Sequence, residues 1–510
     1  MVPSACDLLD AADAPTCSPP TDTAPYPNPP YPSCTSLPSV PFPVTPFPVR
    51  PSVNPRAMRP LAHPPADMLV KAREEVRERT KELKQRQRRP DWCDGLGWEL
   101  STHVIPAAWG RCTPLIPEPS LSSSPYSTAT RRERVWETAD ELMQLKRSHV
   151  EGTLGKEDED ERVLWLVVNR YAPRRGDSRK GNAVKGITLL FAHAIGFPKE
   201  IWEPTIRRFL SSNDLHSRYP AVEEIWCIES VQNGDSAFLN QGNLGGLYDW
   251  QDNARDILTF LASYLPHSSC SLDLPLFLER VTDGLACDRS IQGFSDRSLV
   301  AVGHSFGGCT SALAARFRPS LFSAVVLVDP VIIPNGCYHE RIMKEMVRGA
   351  VGRREGWRSR EEAARLLYAS PFFAAWDKEA LDVYLECGLL EDCATGVVRL
   401  KMSGIQEAIL FTDTRVPAET FELLSSLPPS VALHWVLPGR PAELGRREMA
   451  ERVWRRREGG RVGNGSSVVR RASHLIVQEC PAELAAVLGD FLEEKFGLRE
   501  KKRRRVHALL

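Results

Sequence analysis

The run Gly303-His304-Ser305-Phe306-Gly307-Gly308 constrains this chain more than any other feature. It follows the apolar stretch Leu299–Val302 and precedes text of helical character from Gly308 to Arg318. A G-x-S-x-G turn between strand and helix is sharp enough to force its serine into a strained backbone conformation. Glycines two before and two after the serine remove side chains that would strike the strand and the helix. The expectation is a nucleophile elbow, with the Ser305 hydroxyl presented at the carboxyl edge of a parallel sheet. The amino end of the following helix then favours negative charge developing nearby.

Such a turn needs a sheet covered on both faces, and the surrounding text supplies one. Short β-branched or apolar runs recur at 164–168, 187–191, 225–228, 299–302, 324–328 and 432–437. Each reads as a buried strand. Between them lie amphipathic stretches of helical length at 198–211, 249–265, 307–318, 445–457 and 481–495. Continuous apolar strands alternating with helices predict the α/β class: a mostly parallel sheet flanked by helices. Residues 335–410 break this rhythm with helical text, which reads as an inserted lid.

The ends differ from the middle. Nineteen of the 41 prolines precede residue 66. Proline lacks the amide donor a packed element needs, so residues 1–65 are expected to be disordered or polyproline II. Residues 66–99 read as a solvated helix and linker, polar nearly all round. The core is expected at 100–334 and 411–497, with 335–410 between, and 498–510 is a basic tail. Residues 174–182 read as a hairpin-like connection.

Lys+Arg and Asp+Glu both number 65, so the formal net charge is zero and a globally basic nucleic-acid binder is not expected. No run of eighteen apolar residues suggests a membrane span. The first residues lack the pattern of a secretory leader. The 13 cysteines are scattered without a C-x-x-C pair, which argues against a zinc ribbon or a disulfide framework and for a reducing, cytoplasmic compartment.

A serine needs a base. In a sheet of this kind the order is serine, acid, histidine. His474 lies in Ala472-Ser473-His474-Leu475, on the loop after the last strand and before the final helix, where that base belongs. His304 reads as structural, His434 as a core histidine, and His507 lies in the basic tail. Two carboxylates qualify as the acid. Asp329 directly follows the strand 324–328, and Glu443 follows the strand 432–437 in the more usual topological position. Asp329 is favoured, and Glu443 stays open. The oxyanion donors are expected to be the N–H groups of Phe306 and of Ile195, the latter in the small-residue turn Ala192-His193-Ala194-Ile195-Gly196. His193 reads as a loop-bracing histidine; no metal and no cofactor are expected.

Taken together, these motifs resemble the α/β-hydrolase superfamily over roughly residues 100–497. The likeness is greatest to a fungal group that includes the yeast peroxisomal lipase and the hydrolase of AK-toxin biosynthesis. It rests on Ser101-Thr-His-Val-Ile-Pro-Ala107, His193-Ala-Ile-Gly-Phe-Pro-Lys-Glu200, the elbow, Leu327-Val-Asp-Pro-Val331, Ser359-Arg-Glu-Glu-Ala363 and Ser370-Pro-Phe-Phe373. The resemblance implies a serine hydrolase acting on a small ester, thioester or lipid-like substrate. It also implies that the acid need not follow the sixth strand, which supports Asp329. Many relatives are peroxisomal, but the terminal Ala508-Leu509-Leu510 lacks that signal's basic middle residue. Lid residues Phe372, Phe373 and Trp376 are candidates to line an apolar pocket. Two alternatives share the motifs: a cofactor-free carbon–carbon hydrolase or acyltransferase with the same triad, and a non-catalytic binding protein of this fold.

Overall fold

A computed structural model describes residues 49–119, 130–154, 162–174, 185–212, 220–267, 273–337, 340–392, 395–440, 451, 453 and 464–497. The sheet strands are β1 (Trp98–Pro106), β2 (Trp165–Pro173), β3 (Gly186–Ala192), β4 (Val222–Ile228), β5 (Arg297–His304) and β6 (Ala324–Val328). Three short strands follow, β7 (Gly356–Trp357), β8 (Leu389–Glu391) and β9 (Val398–Leu400), then β10 (Ala432–Pro438) and β11 (Asn464–Val469). Eight of them form one sheet in the order β1-β2-β4-β3-β5-β6-β10-β11. The pairs β1–β2 and β2–β4 are antiparallel, and every pair from β4 onward is parallel.

Both faces are covered, as strands without polar alternation require. In β5 and β6, Leu299, Ala301, Val325 and Leu327 point into one cluster. Val300, Val302, Val326 and Val328 point into the other. Each fully buried valine or leucine contributes roughly 1.5–3 kcal/mol. The helices that matter below are α1 (Ala66–Glu75), α2 (Arg77–Gln85), α3 (Arg131–Glu151), α4 (Glu203–Leu210), α5 (Trp250–Thr259) and α6 (Phe306–Phe317). They continue with α7 (Glu340–Gly352), α8 (Arg360–Ala369), α9 (Lys378–Cys387), α10 (Gly404–Phe411), α11 (Arg415–Leu424) and α12 (Pro481–Phe496). Helices α3, α5, α6 and α11 lie on the first face, and α4 and α12 on the second.

The strand order reverses at one place. From β3 the chain moves outward to β4, then returns to lay β5 on the other side of β3. At such a switch point the two connections diverge and leave a crevice at the carboxyl ends of the strands. The ends here are Ala192 of β3 and His304 of β5.

Several segments differ from their sequence expectation. Residues 1–48 lie outside the described residues, but 49–65 are an extended strap bound to the core rather than free chain. Arg56 pairs with Asp249 and Glu419, Arg255 donates to the carbonyls of Arg59 and Pro60, and Trp109 N–H donates to Ala62. Prolines remove donors without removing carbonyls, and core arginines reach those. Segment 66–85 is also more than a solvated helix. Ala72, Val76 and Leu83 make a narrow stripe that packs on Trp165, Phe238 and Leu239. Between α7 and α10 the lid carries a three-stranded sheet, β7-β9-β8. Strands of two or three residues are too short to show a period. Strand β1 was legible only as the start of globular text. Helix 445–457, apart from Glu451 and Val453, and most of connection 174–182 lie outside the described residues.

Burial gives stability a pH signature. His103, His193 and His434 are pushed down to about 4 and His304 to about 3, chiefly by loss of water. Unfolded, each titrates near ~6.5, so below that pH the unfolded chain binds protons the folded one refuses. Their contribution is fully present above ~6.5 and is lost as pH falls. Burial raises Glu203 and Glu229 to about 7, which works in the opposite sense between about pH 7 and 4.5. Four histidines outweigh two carboxylates. Thermal melts should therefore show a lower Tm at pH 5 than at pH 7; a higher one would contradict this balance.

Candidate functional site

Ser305 stands at φ 55° and ψ −115° as the residue before α6, a backbone conformation that a non-glycine residue adopts only when its surroundings impose it. Those surroundings are visible. A Cβ on Gly303 would lie 2.4 Å from the Gly307 carbonyl oxygen. One on Gly307 would lie 2.5 Å from the carbonyl oxygens of Ala192 and His193. The glycines thus let β5, α6 and the turn after β3 meet without side chains between them.

Asp329 is the second strained residue, at φ 33°. It immediately follows β6, and backbone bonds stitch it to the elbow. Ser305 N–H donates to the Val328 carbonyl at 3.0 Å, and Val331 N–H donates to the Ser305 carbonyl at 3.1 Å. On the far side, Asp329 N–H donates to Val436 of β10 at 2.8 Å.

His474 completes the group. It sits on the loop between β11 and α12. Its Nδ1 is 2.8 Å from Asp329 Oδ2, and its Nε2 is 3.0 Å from Ser305 Oγ. A carboxylate accepts, so Nδ1–H donates to Asp329. That leaves Nε2 to accept the Ser305 hydroxyl proton. The loop is clamped from behind: Ser473 N–H donates to Glu479 at 2.7 Å, and Arg440 pairs with the same carboxylate at 3.1 Å. The structure therefore brings Ser305, His474 and Asp329 together, residues separated by up to 169 positions. Glu443 lies outside the described residues.

The two amides expected as oxyanion donors lie on different elements. Phe306 is the first residue of α6, whose leading N–H groups have no partner within the helix. Ile195 lies in the turn after β3, whose Gly196 has φ 87°. Neither N–H has a hydrogen-bond acceptor among the described residues. His193 braces this turn. Its Nδ1–H donates to the Ala194 carbonyl at 2.8 Å, and its Nε2 accepts the Ser230 N–H at 3.1 Å. Among the described residues no cluster of His, Cys, Asp and Glu is arranged to hold a metal ion.

The segment expected as a lid packs against the Ile195 turn. Phe197 contacts Trp376 and Tyr384 at ring distances of 5.6 and 6.0 Å, and Phe373 stacks edge-on to Trp376 at 4.9 Å. Phe372 is exposed, so of the three aromatic candidates it is the least enclosed. Sequence reasoning missed the polar contacts here. Arg353, after α7, pairs with Glu407 of α10, which abuts Gly196, and donates to Tyr384 Oη at 3.3 Å. Behind the turn, buried Lys199 contacts Glu200, Glu229 and Asp235, and Asp235 also holds Lys401 of the lid. Neighbouring carboxylates raise the Lys199 pKa against its burial, so it stays charged. Apart from Lys199–Glu200, these pairs span long chain separations and leave no local pattern.

Comparison with known proteins agrees with this architecture. Residues 189–487 match the alpha/beta hydrolase family. The chain is 29% identical over 170 residues to the peroxisomal membrane protein LPX1 of Saccharomyces cerevisiae, covering 33% of this chain and 37% of that one. It is 28% identical over 221 residues to the type I acyl-CoA thioesterase mpaH of Penicillium brevicompactum, covering 43% of each. It is 33% identical over 101 residues to the abhydrolase domain-containing protein ACTT2-1 of Alternaria alternata, covering 18% of this chain and 34% of that one. These alignments span less than half the length of the curated relatives. The solved structure of the yeast Lpx1 superposes with a TM-score of 0.53 at 18% identity, over 80% of this chain and 90% of that one, a likeness of fold.

Proposed function

Since this chain belongs to the alpha/beta hydrolase family, we infer that it is a serine hydrolase that cleaves a small acyl ester or thioester through Ser305, His474 and Asp329. The observation that carries this reading is the unbroken line of hydrogen bonds from Asp329 through His474 to Ser305. His474 Nε2 takes the hydroxyl proton as Ser305 Oγ attacks the acyl carbon. The N–H groups of Phe306 and Ile195 receive the oxyanion, each contributing roughly 3 kcal/mol in the transition state. The carbonyl reforms, the bond to the alcohol or thiol breaks, and that leaving group takes the proton from His474. Water then gives a proton to His474, attacks the acyl-enzyme and releases the acid, and the proton returns to Ser305 Oγ. Asp329 holds the Nδ1–H tautomer throughout and stabilises the charged ring.

A thioester is favoured by one comparison, the Penicillium relative named as an acyl-CoA thioesterase. Carbon–carbon hydrolysis and acyl transfer to another acceptor would use the same residues. On compartment, eight described cysteines are free thiols, which supports the cytoplasm, while the yeast relative's name raises the peroxisome. Among the described residues no helix is long and apolar enough to cross a membrane.

The test is covalent labelling with a fluorophosphonate, which reports an activated serine whatever the substrate. Wild type is expected to label, and Ser305→Ala to lose the label entirely. A folded wild type that stays unlabelled would overturn the reading in favour of a binding protein of this fold.

A further inference from the structure

His304 occupies the elbow position whose identity the turn leaves free. Steric demands fall on Gly303, Gly307 and Gly308, not on the residue before the serine. Yet a histidine is buried there, 1% exposed. Its Nε2 lies 2.8 Å from the backbone carbonyl oxygen of His474. A carbonyl only accepts, so Nε2 carries the proton and donates. Burial, with the adjacent His474 ring, pushes His304 down to about 3, so the ring is neutral and Nδ1 is a bare acceptor. That nitrogen is buried with no hydrogen-bond partner among the described residues. An unpaired buried acceptor is costly. An aliphatic side chain would fill the same space without that cost; what the imidazole supplies that it could not is the bond from the other nitrogen.

We propose that His304 is a positioning residue: it ties the residue beside the nucleophile to the backbone of the base, and so sets the reach of the His474 ring to Ser305. This rests on the serine-hydrolase reading for its effect on rate, though not for its geometry. The His474 ring is already held at Nδ1 by Asp329, and the residue before it by Glu479. The bond from His304 adds a third restraint, on the carbonyl, from the same element that carries the serine. The rings lie 5.2 Å apart, so a charged His304 would oppose the imidazolium formed during turnover; the neutral form does not.

Two substitutions separate positioning from packing. His304→Leu keeps the volume and removes both the bond and the orphaned nitrogen. His304→Gln offers an amide N–H in place of Nε2–H. Turnover of a p-nitrophenyl ester, fluorophosphonate labelling rate, melting temperature and the low-field proton NMR signal of the His474–Asp329 bond are measured for each. The expected result is a folded His304→Leu with kcat and labelling rate down about a hundredfold, the scale of a small misplacement of reacting groups, and KM little changed. Its low-field signal should be lost or broadened, and His304→Gln should recover most of the rate and the signal. A His304→Leu protein with wild-type rate and an intact signal overturns the proposal. So does a His304→Gln protein as slow as His304→Leu, because packing alone would then explain both. If wild type neither labels nor turns over, the hydrolase reading fails, and the NMR signal alone decides the positioning role.

Discussion

Replacing Asp329 by asparagine should lower kcat by about ten-thousandfold while leaving the fold intact. The carboxylate accepts the Nδ1 proton of His474 at 2.8 Å. An amide side chain can present its N–H there instead, and the ring would then turn its proton toward Ser305. A base that already carries a proton at Nε2 cannot take the one from the hydroxyl. The chemical step suffers and substrate binding does not, so KM should change little. The side chain is largely buried, and asparagine has nearly the same volume, so unfolding is not the expected route of loss. Glu443→Gln is the matched control. It should retain activity within a few-fold, because one carboxylate suffices to orient the imidazole. Loss of activity in Glu443→Gln with Asp329→Asn unaffected would reassign the acid to the end of β10.

What could be read in advance, and what could not, follows from distance along the chain. The elbow announces itself because its strand, turn and helix are contiguous, and glycine spacing reports a steric requirement within six residues. Parallel strands such as β5 and β6 stand out because both faces are buried and the text is continuously apolar. The choice between Asp329 and Glu443 is of another kind. It depends on which strand end turns toward residue 474, and that is a property of the assembled sheet. The switch point between β3 and β5 is equally invisible, since strand order is not written locally. The same holds for His304, whose partner is 170 residues away. The strap at 49–65 failed for a chemical reason. Proline content correctly suggests extended backbone, but it says nothing about arginines of that segment that fill buried anionic sites.

That strap leads to the largest effect expected on stability. Arg56→Ala should destabilise the protein by about 3 kcal/mol, the lower end of the range for removing one partner of a buried ion pair. Arg56 makes a fork on Glu419, with Nε–Oε1 at 2.7 Å and Nη2–Oε2 at 2.9 Å. Its Nη1 reaches Asp249 at 2.7 Å. Both carboxylates are almost wholly inside, with side chains 2% and 3% exposed. Asp249 also caps α5 by accepting the Gln251 N–H at 2.9 Å, and Lys146 and Arg56 hold its pKa down to about 2 against its burial, so it is charged. Taking away the guanidinium leaves two anions that burial has already stripped of water. The lower end applies because other cations remain: Arg415 still holds Glu419 at 2.9 Å, and Lys146 still acts on Asp249. Arg77→Ala provides the contrast. Its pair with Glu74 is exposed at 60% and 71%, where water competes on equal terms, and no measurable change is expected. Urea unfolding of the full chain compares the two. If Arg56→Ala were as neutral as Arg77→Ala, the strap would be decoration on a core that stands without it. If it is costly, residues 49–65 are part of the hydrolase fold, and truncating the chain at residue 66 should be more damaging than truncating it at 49.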